Sequence, residues 1–359
     1  MDSKFKDKVE SNPQSKHKIL RISGFLLTLF GFSLFIYFVW SVGVHEIVEG
    51  ISKIGIEGFI FILLIYFLRI LTRAFCWKLC VFEPYKLNLR DTVPAVIIGE
   101  AMSSMIPLGI LVSGTSKALA VRHRVPLIIG LSSVATENLF YSFVTSLFLA
   151  CGAMIFLKSF DLSENFTVTL DALILLIVIV MILLVLMVIR QWRFLSGLCE
   201  WLYRKNILRR YMENGRLHAR LFENLIYGYY RQYPRFFIPI LLLQALFHLL
   251  GVLEVLFILS KLGQGVSFYT AFLLESVSRL ITVIFKLVPF LIGIDEAGAQ
   301  FVTEALSLGA SLGVTVAIIR KGRILFWAMI GVILIAKRGL TLKEIIAQSE
   351  KLQTITGKG

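Results

Sequence analysis

One stretch limits what this chain can become more than any other: Ile98-Gly99-Glu100-Ala101-Met102-Ser103-Ser104-Met105-Ile106-Pro107-Leu108-Gly109-Ile110-Leu111-Val112-Ser113-Gly114-Thr115-Ser116-Lys117. It is apolar enough to enter a bilayer, yet a proline, three glycines, four serines and a threonine interrupt it, and Glu100 and Lys117 lie near its ends. In hydrocarbon every backbone N–H and C=O needs an internal partner, so broken backbone at membrane depth persists only where protein or a water-filled cavity surrounds it. The stretch therefore predicts a re-entrant or broken element lining a cavity. The run from Leu287 to Gln300, with Pro289, Gly293, Asp295 and Glu296, repeats the design in the second half of the chain. Either alone reads equally well as a kinked core helix, but interrupted apolar segments at corresponding positions of two halves point to a substrate site.

Composition fixes the broad class. With 57% hydrophobic residues among 359 and a mean hydropathy of +0.81, the chain is too apolar for a soluble surface. We expect an all-α polytopic membrane protein with about seven or eight transmembrane helices, arranged in two similar halves that each carry a Pro/Gly-broken re-entrant segment. The net charge of +14 would suggest nucleic acid in a soluble protein. Here the basic residues flank apolar spans, where they mark cytoplasmic loops and attract anionic lipid, so no nucleic-acid partner is expected. Cys76, Cys80, Cys151 and Cys199 form no disulfide or zinc pattern and read as packing residues.

Residues 1–21 carry six Lys/Arg against three Asp/Glu, which predicts a cytoplasmic amino terminus at the inner (cytoplasmic) membrane. Residues 22–189 form the first transmembrane half, opening with 23 uncharged residues from Ile22 to Val44. Residues 190–235 form a basic cytoplasmic loop with ten Lys/Arg against three Glu and interleaved Trp192, Trp201, Tyr203 and Tyr211, a pattern that lies in the membrane interface. Residues 236–337 form the second half, in which the basic cluster Arg320-Lys321-Arg323 separates two apolar runs, and residues 338–359 form a tail.

Ionisable residues inside spans are costly and usually functional. Arg69 and Arg73 share a helical face one turn apart, and two readings stand side by side: snorkelling toward headgroups, or facing the cavity. Glu137 lies near the middle of a long span. Glu275 and Arg279 have the i, i+4 spacing of an ion pair, with Lys286 two turns further on the same face. With Glu100, Pro107, Gly114, Lys117, Pro289, Gly293 and Glu296 of the broken segments, these make the candidate substrate-binding set. Arg69 and Arg279 are its expected principal cations, and Glu137 and Glu296 its principal anions. No Gly-rich phosphate loop, HExxH or DxD pattern occurs, so no metal, cofactor or catalytic residue is expected.

Four local patterns resemble the transmembrane flippase-like region of lysylphosphatidylglycerol synthases and its stand-alone relatives. They are Leu68-Arg69 through Trp77; Pro107 through Gly114-Thr115-Ser116-Lys117; Thr136-Glu137-Asn138; and Pro289 to Glu296 continuing to Gly309 and Arg320. The resemblance covers most of the chain, from about residue 20 to about residue 340. Thr115 departs from the family's usual acidic residue, and Asn138 from its usual arginine. The family's aminoacyl-transferase module normally lies downstream, and this chain ends at Gly359, so synthase activity is expected to be absent and a separate lipid-modifying synthase becomes a candidate partner.

The resemblance implies a multi-pass protein that handles membrane lipids, moving or binding an anionic phospholipid, and it is compatible with a homo-oligomer. Headgroup transfer needs a polar cavity with donors for phosphate, which arginine supplies in bidentate fashion. Two other classes stay open: a small-solute secondary transporter, for which paired broken segments are equally apt, and a membrane-embedded lipid-linked transferase, for which Asp295-Glu296 is the one adjacent acidic pair in a broken segment.

Overall fold

The computed structural model describes residues 44–105, 109–159, 164–193, 196–197, 200–201, 209–263, 267–284 and 293–337. Pro107, Lys286 and Pro289 lie outside the described residues, as do the first apolar run and the tail. The fold is all-helical. In chain order the helices are α1 (Val44–Leu79), α2 (Leu89–Met105), α3 (Gly109–Ala120), α4 (Leu127–Ser159), α5 (Glu164–Ile189), α6 (Arg209–Gln232), α7 (Phe237–Leu262), α8 (Phe268–Ile284), α9 (Ile294–Ala305) and α10 (Ala310–Lys337).

Helices α2 and α3, and likewise α8 and α9, pack against each other as the two arms of a hairpin. Gly99 of α2 stands against Ser113 and Lys117 of α3, and Gly298 of α9 against Ile281 of α8, so in both pairs the arms run antiparallel about the interrupted residues. The first arms are both 17 residues long and the second arms both 12. At 1.5 Å per residue a 12-residue arm reaches about 18 Å, little over half of a hydrocarbon core about 30 Å thick. A 12-residue arm is therefore too short to cross it. The Glu275 run is accordingly the first arm of a hairpin, and Arg320-Lys321-Arg323, expected to separate two apolar runs, sits inside the unbroken 28-residue α10.

The halves are related by inversion. Along the packed pair α1 and α7, Phe61 touches Phe257, Arg69 meets Glu254, and the Cys76 thiol donates to the Ile240 carbonyl. Rising numbers in α1 meet falling numbers in α7, so the equivalent helices of the two halves run in opposite directions. Gly130 in the first turn of α4 packs on Ala118 of α3, and Gly313 in the first turn of α10 packs on Ala299 of α9. The two glycines stand 183 positions apart and do the same job in each half.

Two apolar clusters bracket the centre. One joins Trp77, Ile98, Met102, Val121 and Ile335 around the first hairpin. The other joins Ile54, Ile258, Leu262, Leu274, Val302 and Val316 around the second. Outward positions stay apolar: Leu64, Leu175, Leu242 and Ile238 are exposed, as lipid contact requires. The basic α6 lies at the α1 carboxyl end, where the Tyr229 hydroxyl donates to the Leu79 carbonyl.

Candidate functional site

Helix α1 is the spine of the site. Arg69 and Arg73 project from it one turn apart, and each organises a separate charged cluster. Arg73 Nη1 donates to Glu100 Oε1 at 2.6 Å, its Nε to Glu137 Oε1 at 3.2 Å, and its Nη2 to Asn138 Oδ1 at 3.4 Å. Lys117 Nζ lies 3.5 Å from Glu137 Oε2, and Gln244 Nε2 donates to Glu137 Oε1 at 3.2 Å. This cluster ties α1 to both arms of the first hairpin, to α4 and to α7, and it balances two cations with two carboxylates.

The second cluster is richer in cations. Arg69 reaches Glu254 at 3.3 Å and Glu275 at 3.4 Å. Glu275 also accepts from Arg279 at 2.7 Å and from Arg320 at 2.7 Å, while Arg323 pairs with Glu254. Four guanidinium groups thus share two carboxylates, drawn from α1, α7, α8 and α10. Both carboxylates and Arg69 are buried. Burying such charges costs several kcal/mol each unless geometry and hydrogen bonding offset it, so the lattice holds only as a whole. Aromatic rings fill the space between the cations: the guanidinium of Arg69 sits 4.4 Å over the Phe247 ring, that of Arg279 5.6 Å from it, and that of Arg323 4.2 Å over Tyr66.

The guanidiniums of Arg69, Arg73, Arg279, Arg320 and Arg323 border a cavity of about 520 Å³ between the halves. Its wall takes in Ser103 and Ser113 from the first hairpin and Thr282 and Asp295 from the second. Val180 of α5 and Val283 of α8 also line it and are exposed, which marks an apolar flank. The Nε atoms of Arg69, Arg279 and Arg323 and the indole Nε1 of Trp327 are buried without a hydrogen-bond partner among the described residues. Buried donors normally have partners, and those that lack one commonly serve a function or meet a ligand or water.

The candidate residues distribute as follows. Arg69, Arg73, Glu100, Lys117, Glu137, Glu275 and Arg279 come together in the two clusters. Arg69, at 1% exposure, does not snorkel. Gly114 of α3 faces Val134 of α4, where an added Cβ would make an ordinary contact at 3.5 Å, so the packing does not require glycine there. Gly293, with φ of +80°, opens α9, and Glu296 caps that helix by accepting from the Gly293 N–H at 2.8 Å while pairing with Lys321. The carboxylates that hold Arg69 are therefore Glu254 and Glu275, whereas Glu137 serves Arg73 and Glu296 stands apart from both clusters. Asp295 and Glu296 do not converge as a metal-binding pair: one lines the cavity, the other is committed to its cap and to Lys321.

Glu254, Arg320 and Arg323 were not among the expected residues. Glu254 is a lone carboxylate in an apolar run, the same signal that singled out Glu137. Arg320 and Arg323 read as a juxtamembrane cluster because three cations in four residues resemble a loop boundary. Their i, i+3 spacing on one helical face is the signal that distinguishes them.

A search of curated proteins and of solved structures finds no match. The profile described as the Lysylphosphatidylglycerol synthase TM region matches residues 22–332, which takes in both hairpins and both charged clusters. The match covers most of the 359 residues and accords with a multi-pass, lipid-related membrane protein, so the chain belongs to the lysylphosphatidylglycerol synthase transmembrane-region family.

Proposed function

We propose that the protein is a flippase-like lipid transporter that moves an anionic phospholipid headgroup through the cavity between its halves, without itself catalysing a covalent step. The observation that carries this reading is the row of five arginines on one intramembrane cavity, three of them with a buried N–H lacking an acceptor among the described residues. A phosphate offers the bidentate acceptor geometry that guanidinium groups match best. The exposed valines Val180 and Val283 supply an apolar flank along which acyl chains can remain in lipid while the headgroup enters. Inverted halves around a central site suit alternating exposure to the two leaflets by rocking of one half against the other. The reading places the protein in the cytoplasmic membrane with its amino terminus inside.

The test is reconstitution of the full chain in vesicles containing a headgroup-labelled phosphatidylglycerol, with an impermeant quencher reporting its transfer between leaflets. Wild-type protein should accelerate transfer, Arg279→Gln should reduce it at least tenfold, and Arg231→Gln, on the exposed face of α6, should leave it unchanged. Uptake of a water-soluble anion with no lipid transfer would favour the small-solute reading instead.

A further inference from the structure

One face of α7 serves both charged clusters. Gln244, Phe247, Gly251 and Glu254 follow one another at spacings of three, four and three residues, which keeps them on a single side of the helix. At one end Gln244 donates to Glu137 of the first cluster, and at the other Glu254 holds Arg69 and Arg323 of the second. Gly251 has no side chain to come between Arg69 and the helix, since a Cβ there would lie 3.2 Å from Arg69 Cζ. Phe247 sits between these ends, buried, with its ring on the wall of the cavity.

That ring is shared between the clusters. The guanidinium carbons of Arg69 and Arg279, from the second cluster, lie 4.4 and 5.6 Å from its centroid, and that of Arg73, from the first, lies 6.0 Å away. Tyr141 and His248 meet the ring nearly at right angles, at 78° and 87°, which fixes its plane. A guanidinium carries its five N–H donors around its edge and none on its faces. An aromatic ring attracts the cation through its quadrupole without occupying a donor and without cancelling the charge. A carboxylate in the place of Phe247 would do both, and an aliphatic side chain would offer the cations nothing in return for the water they have lost. Capture of a phosphate needs the charge kept and the N–H edges available.

We infer that Phe247 is a positioning residue for the anion: its single ring holds guanidinium groups of both clusters, setting the arginines relative to one another while their N–H edges and their charge remain at the disposal of the headgroup. The inference rests on the transport reading above and adds to it the group that preorganises the arginines before the lipid arrives.

The test replaces Phe247 in the full chain with mono-, di- and trifluorinated phenylalanine, which progressively drain the negative face of the ring while scarcely changing its size. The same series is placed at Phe140, which is buried against Tyr230 and Phe237 in another apolar cluster. Native mass spectrometry reads the affinity for phosphatidylglycerol and for diacylglycerol with the same acyl chains, which lacks the phosphate, and the vesicle assay reads transfer. At position 247 the phosphatidylglycerol affinity should fall with each added fluorine, by about tenfold in total, the scale of one desolvated cation–π contact, and transfer should fall with it. Diacylglycerol binding should not change, and the series at Phe140 should leave every readout at the wild-type value. Phosphatidylglycerol affinity indifferent to fluorine at position 247, or a loss shared equally by diacylglycerol, would reduce the ring to packing and overturn its positioning role while leaving anionic-lipid transport standing. A wild-type chain that neither binds nor moves phosphatidylglycerol would overturn both.

Discussion

Glu275 accepts from or pairs with three guanidinium groups on three different helices. Replacing it with glutamine leaves Arg69, Arg279 and Arg320 buried around a neutral amide. Removing one partner of a buried ion pair costs about 3–5 kcal/mol, so Glu275→Gln should lower the thermal unfolding midpoint of detergent-solubilised protein markedly. Adding Arg320→Gln removes one of the stranded charges and should recover some of the loss. A double variant no more stable than the single one would show that Arg320 is not a principal partner. Gly251 makes a related point with a methyl group. A Cβ there would lie 2.4 Å from Glu275 Oε1 and 3.2 Å from Arg69 Cζ, so no side chain fits while the two remain paired. Gly251→Ala should depress lipid transfer at least fivefold even though it removes no charged atom, and transfer at the wild-type rate would mean that the pair can separate without consequence.

At the scale of elements the hairpins decide where the site lies. Much of the first was legible in the sequence, because Pro107 and the glycines around it forbid a continuous lipid-facing helix whatever surrounds them. The second was legible only in outline. Pro289 and Gly293 marked its bend, but the Glu275 run is long and apolar enough to pass for a crossing, and only its packing against α9 shows it to be an arm. The cluster partners were harder still, since i, i+4 spacing predicts Glu275 with Arg279 and nothing local predicts Glu254 with Arg323, 69 residues apart. Long-range pairing depends on which helices become neighbours, and that is fixed by close packing at small residues. The two equivalent glycines test this. A Cβ at Gly313 would fall 2.3 Å from the Ala299 carbonyl oxygen, where backbone must move, whereas one at Gly130 would meet the Ala118 methyl at 3.3 Å. Gly313→Ala should therefore destabilise the protein by several kcal/mol and Gly130→Ala by about 1 kcal/mol or less, comparable with modest overpacking. Equal effects in thermal unfolding would mean that α9 shifts freely against α10.

For the molecule as a whole, the inverted relation of the halves places their hairpins at opposite faces. His123 and Arg124, in the turn between α3 and α4, approach Asp91 at the start of α2, beside the end of α1 where α6 also docks. The corresponding turn between α9 and α10 brings Leu306 and Leu308 against the cluster that contains Ile54 and Leu262, at the other end of α1 and α7. Basic residues concentrate at the first of these ends, with Arg122, His123, Arg124 and the arginines of α6, and by the positive-inside rule we propose that this end is the cytoplasmic one. Cysteines introduced on a background lacking Cys151 and Cys199, with Cys76 and Cys80 buried, at Arg122→Cys and at Glu304→Cys, both exposed positions, then make the arrangement measurable. In intact cells an impermeant maleimide should label the Glu304 site and spare the Arg122 site, and in inverted membrane vesicles the pattern should reverse. Labelling of both from one side would contradict the inversion, because two hairpins entering from the same face would have their equivalent turns on that face together. The outcome also bears on mechanism. Hairpins entering from opposite faces suit the offer of one central arginine cluster to each leaflet in turn, since closing the cavity toward one face then opens it toward the other.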